Sequence, residues 1–372
     1  MRPFLRNLGL AAATAAIVLT GTLFLPHDRY IRWQDMRVEA YARLGWIYER
    51  IHFDPTPIDV AFIGTSHTMN GIDSAAVADA IMRASPASRA RPVHVTNLSI
   101  PAYGRNLHWL IARELLENRK VGTLVLEIFE NETRKAHPLF LYPADVSDVL
   151  NAPLFINLDY FHDLVRLPYR QLSLFVKTLW PEEFGLRRVF DPAHYDGSMV
   201  DNTRVVQVHG VAITPLRDRR MDPSKLEAYR RQRAGEKNLH MLGGRFDWLE
   251  YRFPRYYVTK ILDLAKQRGV AVKFLYLPAY GQPDLPYDTS LYAGRGQIIT
   301  ANDILAKKEN WEDIDHLNLY GAAELSARVG SLLASSVARQ SQTSDVAAPQ
   351  AALARREAAQ TGPNDGTSPL SK

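Results

Sequence analysis

Ser66, Asp313 and His316 are the residues of this chain whose types and spacing suit chemistry. Ser66 ends the run Ile-Asp-Val-Ala-Phe-Ile-Gly-Thr-Ser, an apolar stretch that stops at Gly64. Far along the chain, Asp313-Ile314-Asp315-His316 sets a histidine three residues after a carboxylate. A serine hydroxyl is a poor nucleophile until a base takes its proton, and the base works best when a third group orients it. The expected roles are Ser66 as nucleophile, His316 as base and Asp313 as orienter. Asp315 competes for the last role, but it adjoins His316 in sequence, where a side chain usually points elsewhere. Plainer roles exist for each residue. Ser66 could cap a loop before the next helix, and His316 could open a helix. Asp313, Asp315 and His316 could together hold a metal, although no second histidine motif supports one. His67 lies too close to Ser66 to act readily as its base and is expected in the pocket wall or on the surface.

These residues need a scaffold that brings the two distant segments together. Strand and helix signals alternate along two parts of the chain. Residues 59–63, 93–98 and 121–128 read as buried strands. The segments after Asp73, a suitable N-cap, and over residues 106–120 read as helices. The alternation resumes with a helix over 254–268, a strand over 270–277 and a closing helix over 321–337. Such alternation implies βαβ units under a doubly wound parallel sheet. In such a sheet ligands sit outside the carboxyl ends of the strands. The early strands end at Gly64-Thr65-Ser66, at Asn97 to Ala102 and at Phe129 to Glu132, so all can converge with Asp313–His316 at one edge.

The four segments, in order, resemble the blocks of the SGNH (GDSL-like) hydrolase superfamily. Gly64-Thr65-Ser66 is similar to the first block, Gly-Asp-Ser, with Thr65 in place of Asp. Asn97-Leu98-Ser99-Ile100-Pro101-Ala102 is similar to Asn-x-x-x-x-Gly, with Ala102 at the glycine. The strand ending Phe129-Glu130-Asn131 is similar to the third block, Gly-x-Asn-Asp, with Phe129 at the glycine. Asp313–His316 fits Asp-x-x-His. The resemblance covers roughly residues 58–132 and 254–337. It implies a flavodoxin-like three-layer α/β/α fold and no cofactor. It also implies an oxyanion hole built from the Ser66 N–H, a second-block N–H at Ala102 or, two residues on, Gly104, and the Asn131 side chain. Asn131 could instead be a turn residue.

The rest of the chain sets the context. It has 372 residues, 46% of them hydrophobic, which suffices for a substantial core. There is no cysteine, which excludes disulfides, thiol nucleophiles and cysteine-based zinc sites. The net charge is +5, the basic residues are dispersed apart from clusters near Arg217–Arg220 and Arg230–Arg233, and no nucleic-acid motif is present. Residues 8–25 carry no charge and follow Arg2 and Arg6. Eighteen residues is near the lower limit for a membrane span, and the flanking arginines favour a cytoplasmic N-terminus. Leu23-Phe24-Leu25-Pro26 is a poor cleavage site, so an uncleaved signal-anchor is expected over residues 1–32, ahead of a cleaved signal or a buried soluble helix. A linker helix is expected within 33–57, the catalytic domain over 58–337 and a disordered tail over 338–372. A largely helical insertion, about 137–253, is rich in aromatics and leucine. It is expected to cover the active-site face or, alternatively, to meet a membrane or an acyl chain.

An anchor followed by an exported SGNH-like domain resembles proteins that esterify or de-esterify cell-envelope polymers. The implied activity is that of an O-acyl, chiefly acetyl, esterase or acyltransferase on an envelope glycan. The implied location is the inner membrane, single-pass, with the catalytic domain periplasmic and a multi-pass membrane acyltransferase as a possible partner. A lipase or thioesterase of longer acyl esters, and a non-catalytic scaffold in an envelope assembly, are the competing expectations.

Overall fold

Runs rich in β-branched and large apolar residues form the strands of a parallel sheet, as expected for strands covered on both faces. In the computed structural model these are β1 (Ile58–Ile63), β2 (Val95–Asn97) and β3 (Val121–Ile128). A separate antiparallel hairpin follows, β4 (Val206–Val208) with β5 (Val211–Ile213), and then β6 (Ala271–Tyr276) and β7 (Gln297–Ile299). The structure describes residues 2–36, 42–85, 91–129, 134–195, 206–208, 211–213, 219–234, 242, 244–286 and 289–338. The main sheet has the order β2-β1-β3-β6-β7, and every pairing in it is parallel. The chain runs outward from β1 to β2 and then returns to β3 on the other side of β1. The ends of β1 and β3 therefore flank the point where strand order reverses, the usual ligand crevice of such sheets.

Successive strand residues face two hydrophobic clusters. Ala61, Ile63, Leu124, Leu126, Phe274 and Tyr276 pack into one, with Leu110 and Ile111 of the helix Arg105–Asn118 and Ile261 of the helix Arg252–Gln267. Val60, Phe62, Val125, Leu275 and Ile299 pack into the other, with Val77 and Ile81 of the helix Ser74–Ala84 and Leu325 and Val329 of the helix over residues 319–338. This alternation is the period-2 geometry of a strand. Asp73 caps its helix as expected, accepting a bond from the Ala76 N–H at 2.9 Å.

Several expectations shift. The fifth strand, β7, has no counterpart among the expected strands; three residues carry too little pattern to stand out. The expected linker helix is two helices, Arg29–Gln34 and Arg43–His52, and both are buried in the body. Leu44, Ile47 and Ile51 join the same cluster as the helix Arg105–Asn118. Arg43 is fully buried and donates to the Asn97 carbonyl at 2.8 Å. The N-terminal helix, Arg2–Thr22, is long and apolar enough to cross a membrane over Pro3–Thr22, and none of that stretch is buried. Of the segment expected as a tail, 338–372, residue 338 still belongs to the closing helix, and the rest lies outside the described residues.

Candidate active site

Ser66 sits where β1 gives way to a short helix, Ser66–Gly71, rather than on a bare loop. Thr65 is the N-cap, and its hydroxyl accepts from the His67 N–H at 3.2 Å. The first N–H groups of a helix have no acceptor within it. The Ser66 N–H, at the first helical position, therefore has no acceptor within the helix.

The distant Asp-x-x-His segment meets this turn. His316 Nε2 lies 2.8 Å from Ser66 Oγ, and His316 Nδ1 lies 2.9 Å from Asp313 Oδ2 and 3.1 Å from Oδ1. A carboxylate can only accept, so Nδ1 carries the proton and Nε2 is free to take that of Ser66. The Asp313 carboxylate is fixed by its own turn, since Oδ1 accepts the N–H of Asp315 and of His316 at 2.8 Å each. Burial pushes the Asp313 pKa upward, but hydrogen bonds and the His316 charge outweigh it and bring it down to about 2. Burial works to lower the His316 pKa, yet the Asp313 hydrogen bond and charge, with Asp315 and Glu312 behind, leave it raised. Asp315 is engaged elsewhere: it accepts from Arg233 at 2.7 and 3.2 Å. Of the two carboxylates, Asp313 is thus the one in contact with the His316 ring.

Further side chains hold the Ser66 turn. Glu127, on β3, is buried, and its carboxylate accepts the Thr65 N–H at 2.7 Å, the Thr65 hydroxyl at 2.8 Å, the Thr68 N–H at 3.3 Å and the Thr68 hydroxyl. Gly64 makes this approach possible, because a Cβ there would lie 2.3 Å from Glu127 Oε2. The carbonyl ends of the short helix are held by Asn97, which donates to Thr68 O at 3.1 Å and Ile72 O at 3.0 Å. Sequence reasoning gave neither residue a task. The available signal for Glu127 was a lone carboxylate inside the apolar run Val121–Ile128.

The second-block loop runs alongside. Ile100 donates to the Gly64 carbonyl at 3.0 Å, which draws residues 99–102 beside the serine turn. Ala102 has φ +74°, the left-handed conformation for which glycine is the usual residue. The backbone at the block's glycine position is therefore glycine-like although the residue is alanine. Gly104 has φ +153°, and a Cβ on it would lie 2.4–2.6 Å from His137. His137 is buried, which lowers its pKa to about 4, and its neutral ring donates through Nε2 to the Pro101 carbonyl at 2.8 Å. It thereby pins the loop that carries Ala102. Asn131, the expected side-chain donor, lies outside the described residues.

The wall of the site is aromatic. His67 holds its Nδ1 on the Leu277 carbonyl at 2.8 Å, and its Nε2 is 3.3 Å from the Tyr103 hydroxyl. Its ring packs edge-on to His316 with centroids 5.6 Å apart, so it stands beside the His316 ring. Phe129, at the third-block glycine position, packs against Tyr103 with centroids 5.3 Å apart and carries the Arg105 guanidinium on its face at 3.8 Å. Of the insertion, the helix Pro223–Ala234 reaches this site through Arg233. No family model, no curated protein and no solved structure matched the chain when it was compared with each.

Proposed function

We propose that this protein is a serine-dependent O-acyl esterase or acyltransferase of the SGNH hydrolase type, with a flavodoxin-like three-layer core. Its substrate in this reading is an acyl ester, chiefly acetyl, on a cell-envelope glycan. The observation that carries the proposal is the unbroken chain from Asp313 through His316 to Ser66, at 2.9 and 2.8 Å. In the reaction His316 takes the Ser66 proton as Oγ bonds to the acyl carbon. The oxyanion forms beside the Ser66 N–H and the loop bearing Ala102, where preorganised donors stabilise it. The ester C–O bond then breaks, and His316 returns the proton to the leaving alcohol. In the second half His316 takes a proton from water or a sugar hydroxyl as its oxygen bonds to the acyl carbon, and the bond to Oγ then breaks with that proton returned to Ser66.

An anchor spanning the inner membrane would hold this domain on the periplasmic side, within reach of envelope polymers and of a multi-pass acyltransferase. The test is covalent labelling by a fluorophosphonate together with hydrolysis of nitrophenyl acetate by the full chain. Both should be present in the wild type and absent from Ser66→Ala. A non-catalytic scaffold would show neither in the wild type. A rate that climbs with acyl length from acetyl to decanoyl would point to a lipase or thioesterase instead.

A further inference from the structure

The helix Tyr160–Leu179 is built inside out. At 100° per residue, Phe161, Val165, Tyr169, Leu172 and Leu179 fall on one stripe, and all are exposed, Val165 and Tyr169 by 77% and 76%. The opposite side, which faces the protein, carries Asp163, Leu167, Arg170, Gln171 and Leu174, all buried. Arg170 donates to the carbonyls of Tyr142 (2.7 Å) and Ala144. Three polar groups are thus spent inward beside two leucines while five large apolar ones face out, unlike an ordinary surface helix, which turns its apolar stripe to the core. The stripe from Phe161 to Leu179 is about 27 Å long at 1.5 Å per residue. Leu154, Phe155 and Leu158 in the preceding loop and Trp180 after the helix are exposed as well. A contiguous apolar surface of this extent marks contact with a membrane or another protein.

Its place in the fold identifies the occupant. The anchor stretch Pro3–Thr22 has 20 residues, about 30 Å of helix, which matches the hydrocarbon thickness of a bilayer. Leu23 therefore stands at the membrane boundary when the anchor spans. Its carbonyl accepts from Gln171 Nε2 at 3.4 Å, and the Asp28 N–H donates to Thr178 Oγ1 at 3.0 Å. The inverted helix is tied at its middle and its end to the point where the anchor leaves the bilayer. Tyr169 and Trp180, both exposed, are ring types that favour this boundary.

We infer that the helix Tyr160–Leu179 lies in the plane of the bilayer surface with its Phe161–Leu179 stripe sunk into the lipid. The anchor and this helix would hold the catalytic body at two points, fixing its orientation over the membrane instead of leaving it on a single tether. An in-plane helix of this kind buries its apolar face about 5–10 Å into the boundary between headgroups and acyl chains. The driving force is apolar burial, so neutral lipid suffices.

The chain has no cysteine, so single replacements can carry a nitroxide probe at chosen positions. The full chain would be placed one copy per nanodisc in phosphatidylcholine, with probes on Val165→Cys, Tyr169→Cys, Ala13→Cys in the anchor and Ser331→Cys on the closing helix. Collision with oxygen, which dissolves in lipid, is compared with collision with a water-soluble nickel chelate. At Val165→Cys and Tyr169→Cys oxygen should dominate as at Ala13→Cys, the inverse of the ratio at Ser331→Cys. Nickel dominance at both stripe positions, with oxygen dominance retained at Ala13→Cys, would overturn the inference. Loss of both collisions at the stripe would also overturn it, since that result means a protein surface covers the helix. Because these side chains are exposed, the substitutions leave the core intact, and the readout does not depend on Ser66.

Discussion

At the scale of single residues, the site rests on which carboxylate holds His316. Asp313→Asn should lower kcat by about 10⁴, because an amide favours the wrong imidazole tautomer. Asp315→Asn should cost far less, since Asp315 pairs with Arg233. Steady-state rates on nitrophenyl acetate decide it, and the opposite ranking would move the role to Asp315. Ser66→Ala should abolish turnover while leaving the melting temperature nearly unchanged.

The same two groups fix the pH dependence. His316 acts as base only when neutral, and its pKa is raised, so kcat/KM should climb with pH through an inflection above the ordinary histidine value of about 6.5. Stability runs the other way. A raised histidine pKa adds stability that is complete below the unfolded pKa and fades as pH rises through the folded one. The lowered Asp313 pKa adds stability above its ordinary value that is lost as pH falls towards about 2. The pair should therefore stabilise most on the acid side of the activity optimum. Parallel melting and rate profiles test this, and coincident optima would contradict it.

At the scale of elements, the link between β3 and the serine turn is the sensitive joint. Glu127→Gln keeps the size of a buried side chain that accepts four hydrogen bonds but replaces one accepting oxygen with an NH2 that can only donate. We expect a fall in kcat larger than the change in KM, together with a clear loss of stability, measured by denaturant titration in detergent. Rates and stability both equal to wild type would show that the turn holds itself. The second-block loop offers a test in the other direction. The left-handed backbone at Ala102 costs about 1–2 kcal/mol, whereas glycine adds an entropic cost of about 0.5–1 kcal/mol on folding. The first effect is larger, so Ala102→Gly should leave activity intact and raise stability slightly. A loss of stability would show that the methyl group packs usefully.

At the scale of the whole molecule, the apolar N-terminal helix should keep the protein with membranes through a carbonate wash. Release into the supernatant would show that Pro3–Thr22 does not span. A reporter fused after residue 338 should be active only outside the cytoplasm if Arg2 and Arg6 set the orientation.

What was legible in the sequence was what repeats locally or carries its own chemistry. The runs 58–63 and 121–128 announce strands, Asp73 announces a helix start, and the Asp-x-x-His spacing lets one short turn fix Asp313 on its own histidine. The apolar N-terminal helix is legible for the same reason, since length and absence of charge are properties of a segment alone. Tertiary structure decided everything that depends on where a chain segment lands. No local pattern says that Glu127 will lie under Thr65 and Thr68, because that pairing comes from the register of β3 beside β1. The same holds for His137, whose task is set by a carbonyl 36 positions earlier in the chain. The helix Tyr160–Leu179 makes the point most sharply. Its periodicity shows two unlike faces, but which one turns inward was settled only by the carbonyls of Tyr142, Ala144 and Leu23 that its polar side had to satisfy.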